Sequence, residues 1–381
     1  MQAVPLSGVR LTLIVMSVVL IAAGCDNGSS PSNSTGTTST NVSGTVATTP
    51  SGSGCDSGSA ADPADPCVVS TIEQVQAFEE NRAGHYAFGA DIDASATEAW
   101  NDGAGFEPIA DFTGTLDGRG HKVTDLVINQ PGTRWVGLFG TAAEGSEIRN
   151  LSFEDARVTG GATVGILAGR GAGDIVQVHA SGVVNGEEWT GGLVGNLQET
   201  GVISRSSTSG SVSGSGARIG GLVGQHDGHV EYSYSLSAVA GRTSVGGLAG
   251  RSSGTTQSSY SVVGSEDDGE HIVQGAHSGS EVGGLIGTIE ASTIISDSYT
   301  VSYQTTDRLG FVGHRLVGHD WGTGDGTSSS YWGTDSTPRQ DIARSLEAMR
   351  QAATFDGWDF DTVWTIDEDA DYPDLISNPR N

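Results

Sequence analysis

Between residues 136 and 313 the apolar positions do not follow a helical period; they come as runs of a few residues in which apolar and polar positions alternate, broken by glycines. One run recurs. Gly191-Gly192-Leu193-Val194-Gly195 has near-copies closing at Gly140, Gly169, Gly224, Gly250, Gly287 and Gly313, so that successive closing glycines are 29, 26, 29, 26, 37 and 26 residues apart. A period of this size predicts a solenoid, in which each repeat buries its apolar face only against its neighbours. The offsets between copies repeat as well: Ile203, Ser206, Ser207 and Val212 after Gly195 match Val230, Ser233, Tyr234 and Val239 after Gly224. Each repeat is therefore two or three short strands joined by Gly-rich turns. Equivalent residues of successive coils stack at strand spacing, about 4.8 Å, and form ladders. Leu138, Leu167, Leu193, Leu222, Leu248 and Leu285 make an apolar ladder, and Ser206, Ser233, Ser259 and Ser298 a second one where the cross-section narrows. The expected fold is all-β, a parallel β-helix with right-handed crossovers. Its glycines are placed where the chain bends with positive φ or passes close to a neighbouring coil.

The flanks read differently. Residues 55–135 look like an N-terminal cap and irregular first coils, 136–327 the solenoid, and 328–381 a C-terminal cap. Ser70-Thr71-Ile72-Glu73 has the form of a capping box with Ser70 as N-cap, opening a short helix that puts Ile72, Val75 and Phe78 on one face. Beyond Tyr331-Trp332-Gly333, Ser345 reads as the N-cap of a second short helix carrying Leu346, Met349 and Ala353 on one side. Phe355, Trp358, Phe360, Trp364, Ile366 and Tyr372 follow, and are expected to plug the open edge of the last coil.

At the other end, Arg10, an apolar run from Leu11 to Ala23, and Gly24-Cys25 have the layout of a secretory signal over residues 1–25. Leu20 to Cys25 resembles a bacterial lipobox, with Ala22 where that pattern usually has Leu, Val or Ile. It implies a lipidated Cys25 that anchors the chain to the outer membrane or cell surface. Asp26 is similar to an inner-membrane retention signal, which leaves the inner membrane open. Residues 26–54 hold 20 Ser, Thr or Gly among 29, too little apolar surface to offset their ordering entropy, and read as a flexible linker. In an oxidising compartment Cys55 and Cys67 are expected to pair, closing a small loop worth about 3 kcal/mol.

Composition narrows the partners. The 58 glycines suit a repetitive β-architecture, and 46 acids against 18 bases give a net charge of -28 that repels nucleic acid and anionic lipid surfaces while favouring solubility in a salty exterior. No Cys-x-x-Cys or His cluster suggests a metal, and no motif suggests a cofactor. The 37-residue repeat inserts Ser265 to His271 and His277, acids and histidines that match no calcium or zinc spacing and read as a solvated loop.

The repeated Gly-Leu-x-Gly unit resembles the GLUG-motif repeats of bacterial surface and secreted proteins. The likeness extends to a lead-in (Tyr86 to Asp93, Gly105 to Ile109, Phe112 to Gly120) and a tail (Ser330 to Trp332, Phe355 to Phe360, Val363-Trp364, Tyr372-Pro373), covering about residues 70 to 377. It implies a β-solenoid at the cell surface, often in adhesin-like proteins, without implying one activity. Some relatives of that kind are IgA-cleaving metallopeptidases that carry the repeats beside a catalytic domain. None of the nine histidines here sits in His-Glu-x-x-His, so that activity is not carried over.

Three functions remain. The favoured one is a non-catalytic, lipid-anchored protein whose long flank serves adhesion or extracellular ligand binding. A carbohydrate-active enzyme, a polysaccharide lyase or hydrolase, would need clustered Asp and a base; with Lys122 the only lysine, that base falls to a histidine or an arginine such as Arg170, Arg205 or Arg251, whose spacing predicts scattered surface positions instead. A polysaccharide-binding module would use Tyr234, Tyr260 and Tyr299, which share one offset and are expected to form an outward aromatic stripe able to stack sugars.

Overall fold

A computed structural model describes residues 62–263, 273–276, 280–302, 316–320, 327–334 and 343–380. The solenoid belongs to the unit Ser51–Asn381. Cys25, Cys55, the segments expected to be a signal (1–25) and a linker (26–54), and most of the 265–278 insertion lie outside the described residues.

The chain forms a parallel β-solenoid of about eight turns. One coil shows the plan. Trp189–Gly191 enters the Gly192-Leu193 tip, Val194–Leu197 leaves it, and after a turn Val202–Ser204 and Ser207–Gly214 run along a long sheet before Ala217–Gly220 enters the next tip. Stacking gives a six-stranded entering sheet, a seven-stranded leaving sheet and the long sheet, all parallel along the axis. The tip dips inward until it meets the long sheet: the Thr208 hydroxyl donates to the Gly221 carbonyl at 2.8 Å, and Ser261 to that of Gly284 at 2.7 Å. The apolar interior is thereby divided between a side lined by Ile175, Ile203 and Val230 and a side lined by Val184, Val212 and Val239.

The motif glycines serve close approach. A Cβ on Gly195 would lie 2.5 Å from the Val164 nitrogen of the entering sheet, so only glycine lets the two sheets touch. The leucines at the tips are buried from Leu138 through Leu285, as the repeat predicts. The last tip is displaced from the sequence expectation. Ile286 pairs with Val317 and the Leu285 amide donates to the Leu316 carbonyl at 3.1 Å, so the ladder continues through Leu316-Val317-Gly318. The copy closing at Gly313 lies outside the described residues and is not the one in register. His314-Arg315 in place of Gly-Gly hid the true tip.

The bend of the long sheet is made without glycine. Asn150, Gln177, Arg205, Tyr232, Ser258, Asp297 and Ser329 occupy one position in successive coils, all with φ between 44° and 56°. The serine that follows supplies the partners this bend needs. Ser206 Oγ accepts from the Val178 amide (3.1 Å), Ser233 from Ser206 (3.1 Å), Ser259 from Ser233 (3.2 Å), Ser298 from Ser259 (3.2 Å) and Ser330 from Ser298 (3.3 Å). Each hydroxyl in turn donates to the carbonyl two residues before it, at 2.8 to 2.9 Å. Buried amides that the bend removes from the sheet are thus satisfied by side chains.

Both ends carry short helical turns, with shifts from the expected caps. The first helix is Ile72–Gln76, and its capping box is Thr71 with Gln74 rather than Ser70 with Glu73. The longer amide reaches both the Ser70 and Thr71 nitrogens. At the far end two 3-10 turns, Ala348–Arg350 and Ala352–Thr354, replace a single α-helix, and Ser345 Oγ still accepts from the Ala348 amide at 3.1 Å.

Candidate functional site

The tyrosine stripe forms in register: Tyr234 pairs with Tyr260, Tyr260 with Tyr299 and Tyr299 with Tyr331, with ring centroids 4.8 and 4.9 Å apart in the first two steps. It is not an open platform. Residues 343–345 add one rung to the last coil, and the chain then folds back along the flank, packing Met349, Phe355, Trp358, Trp364, Tyr372 and Leu375 over the rings. The phenols bond to this cover: Tyr234 donates to the Pro379 carbonyl at 3.2 Å, Tyr260 to Asp374 at 2.7 Å, and Tyr299 to the Pro373 carbonyl. Farther back, Asn378 Nδ2 donates to the Tyr232 carbonyl at 3.1 Å and that of Ser206 at 3.3 Å. Burial pushes the Tyr260 and Tyr299 hydroxyls well above their ordinary range. The glycan face expected of Tyr234, Tyr260 and Tyr299 is therefore corrected, since the tail occupies it. The tail aromatics cover this flank as well as extending the end, because four stacked phenols offer more apolar area than one coil edge.

The other expected residues separate. Cys67 is disulfide-bonded, and Cys55, its expected partner, lies outside the described residues. Arg170 and Arg251 stand in one row of the leaving sheet, where Arg170 donates to Gln198 at 2.7 Å and Arg251 pairs with Glu290. Arg205 lies on the bend of the long sheet, 5.5 Å over the Tyr232 ring. The three arginines share no site.

What the structure brings together lies between the entering and leaving sheets, beyond their glycine contact. From the leaving sheet Thr141, Arg170, Asn196, Gln225, Arg251 and Thr288 stack in register. From the entering sheet come Trp135, Thr163, Trp189, Arg218, Ser244 and Glu281. The rows meet at one end, where Glu281 accepts from Ser244 at 2.7 Å, Thr288 at 3.0 Å and Thr243 at 3.2 Å. Burial opposes the charge of Glu281, but these hydroxyls outweigh it and hold the carboxyl below its ordinary range. Burial, and then the Arg251 charge, lower the Arg218 guanidinium, which still stays a cation at neutral pH.

At the other end the row is aromatic. Trp135 is 42% exposed with Arg134 5.5 Å over its ring, and Arg218 lies 4.9 Å over half-buried Trp189. Glu188, Trp189, Gly216, Ala217, Arg218, Arg242 and Thr243 line an open cavity of about 520 Å³. The sequence carried a signal for this strip: both tryptophans stand a few residues before a Gly-Leu tip, each followed by a buried Val136 or Thr190, which turns the indole outward.

No protein-family model matches the chain. It is 36% identical over 197 residues to halomucin of Haloquadratum walsbyi, 42% of this chain and 2% of that protein. It is 29% identical over 259 residues to an immunoglobulin A1 protease of Streptococcus sanguinis, 65% of this chain and 12% of that one. A Gly-rich membrane protein of Evansella cellulosilytica is 36% identical over 101 residues, 25% of this chain and 12% of that one. The chain thus spans an eighth or less of the length of these relatives. A solved Bacteroides ovatus structure described as an immunoglobulin A1 protease superposes with a TM-score of 0.53 at 18% identity, covering 83% of this chain and 93% of its own, which shows a shared β-solenoid fold.

Proposed function

We propose that this chain is an exported, lipid-anchored GLUG-repeat solenoid that works without catalysis, presenting a long flank to an extracellular ligand in adhesion. Cys25 is its lipid attachment point and residues 26–54 its tether. The observation that carries the non-catalytic part is where the reactive groups go: the serines bond the bend, the buried phenols bond the tail, and Glu281 is occupied by three hydroxyls. Relatives named as a halomucin and as a membrane protein support a place outside the cytoplasm. The relatives named as immunoglobulin A1 proteases supply no catalytic residue to transfer, since their likeness falls on the solenoid.

The experiment is a glycan and matrix-protein binding array on the purified full chain, with product release measured on every hit. Retained binding without turnover is expected; released product from any polysaccharide refutes the reading. Palmitate labelling of the chain and of Cys25→Ser checks the anchor, with label expected only on the former.

A further inference from the structure

The entering sheet carries a binding strip for an extended, uncharged β-linked pyranose chain, we propose, built from Trp135, Trp189 and Arg218. This deepens the surface-binding reading and rests on it. Trp135 and Trp189 both pair with Thr163, one from either side, so they stand two rungs apart on one row. Two rungs of a parallel sheet span about 10 Å, also roughly the repeat of two residues in an extended β-1,4-linked pyranose ribbon. Alternate sugar rings of such a chain, lying along the solenoid axis, therefore meet successive indoles, with the buried Thr163 between them.

The chemistry of the strip suits a sugar. An indole face stacks on the apolar C–H face of a pyranose while the polar rim of the sugar stays wet. The arginine over each indole fixes the ring and presents planar N–H donors at its edge, where ring hydroxyls lie. Glu188 at the rim of the cavity beside Trp189 supplies an acceptor for a further hydroxyl. Trp135 is also one of few large apolar side chains left exposed among the described residues. The tyrosine ladder, which has the same chemistry at a one-rung spacing, is already covered by the tail.

Charge separates an uncharged chain from an anionic one. Arg134, Arg218 and Arg242 on this strip are offset by Glu187, Glu188 and Glu281, so no local excess of positive charge overcomes a protein of net charge -28. A polyuronate would be repelled at low salt. A neutral ribbon meets no such barrier.

The test uses the full chain with cellohexaose and chitohexaose as neutral probes and an alginate hexamer as the anionic one, read by intrinsic tryptophan fluorescence and calorimetry. Saturable binding of a neutral hexamer is expected, little changed by salt, and weakened at least tenfold by Trp135→Ala and by Trp189→Phe. Tyr234→Phe, on the covered flank, should leave it unchanged. Trp135 is exposed enough for its alanine variant to fold, and an unchanged thermal midpoint verifies this. Neutral-hexamer binding that survives both tryptophan changes, or salt-sensitive binding of alginate alone, overturns the strip. If array hits of another kind persist in the tryptophan variants, the wider surface-binding reading stands without it; if the array shows no hit at all, or released product, that wider reading fails first.

Discussion

His226 ties the stability of the stack to pH. It ends the leaving strand Val223–His226, pairs with Leu197 and Ser252 in the coils on either side, and is fully buried. Its Nε2–H donates to the Thr255 carbonyl at 3.1 Å, which leaves the ring neutral with Nδ1 inward. Burial pulls its pKa from 6.5 down to about 4, against smaller raising effects of the Thr255 bond and Asp227. The folded ring therefore binds its proton later than the unfolded one as pH falls. Stability from this group is fully present above pH 6.5 and is lost as pH falls through the folded value near 4. Each tenfold difference in proton affinity between the folded and unfolded chain is worth about 1.4 kcal/mol, so the loss is about 2 kcal/mol at pH 5 and approaches about 3 kcal/mol below pH 4. The assay is urea unfolding followed by far-UV circular dichroism from pH 8 to pH 4, for the wild type and His226→Leu. Leucine matches the apolar neighbours Leu197 and Ile289 in its row. At pH 8 the variant should lose about 1 kcal/mol, because the Thr255 carbonyl loses its donor. Between pH 7 and pH 4.5 it should lose less stability than the wild type, the two curves crossing near about pH 6, where the wild-type loss reaches about 1 kcal/mol, and the variant being the more stable at pH 5. His179, whose pKa burial also lowers, titrates in both proteins and cancels in the difference. Parallel pH curves for the two would refute the assignment.

Three further outcomes test the scaffold. Ser259→Ala deletes the acceptor of the Ser233 amide and should cost about 2 kcal/mol in urea unfolding through an orphaned buried N–H, whereas Ser211→Ala, on the outer side of the long sheet, should be near neutral. Gly195→Ala forces a Cβ against the Val164 nitrogen and should destabilise by about 3 kcal/mol, visible as a lowered thermal midpoint. Tyr260→Phe removes the bond to Asp374 and should cost about 1 kcal/mol, with faster limited proteolysis across residues 343–380 than in the wild type.

Ladders were legible in the sequence because stacking copies a side chain into every coil. Leu193 and Ser233 could be assigned to a stack from their offsets alone, and so could the shared row of the three tyrosines. The side a row faces, and what lies over it, depends on contacts between distant parts of the chain. Tyr299 is 74 positions from the Pro373 carbonyl it bonds, and no local pattern encodes that pairing. The bend escaped for a related reason. Its left-handed position holds Asn, Gln, Arg, Tyr, Ser and Asp in turn, so no residue type marks it; from Arg205 onward the mark is the serine one step later, where the first two coils have Leu151 and Val178. Thr71 took the cap from Ser70 because both are competent hydroxyls and only the Gln74 amide decides between them.

The tail's choice of flank decides which surface is left for a partner. A buried phenol must find a hydrogen-bond partner, and in the tyrosine row the tail carbonyls and Asp374 supply one to each of three rings. Arg380 completes that cover from inside, lying 5.6 Å over Tyr260 and 3.2 Å from Asp371. Such an arrangement is built for permanence, since uncovering it would strand those hydroxyls and the aromatic area beneath together. The entering sheet has the opposite design. Its indoles carry neighbouring arginines over their rings, and among the described residues no segment of the tail packs over them. An aromatic row ordered but uncovered loses little further entropy when a ligand arrives. Binding on this solenoid is therefore sought on the flank that needs no cover to stand.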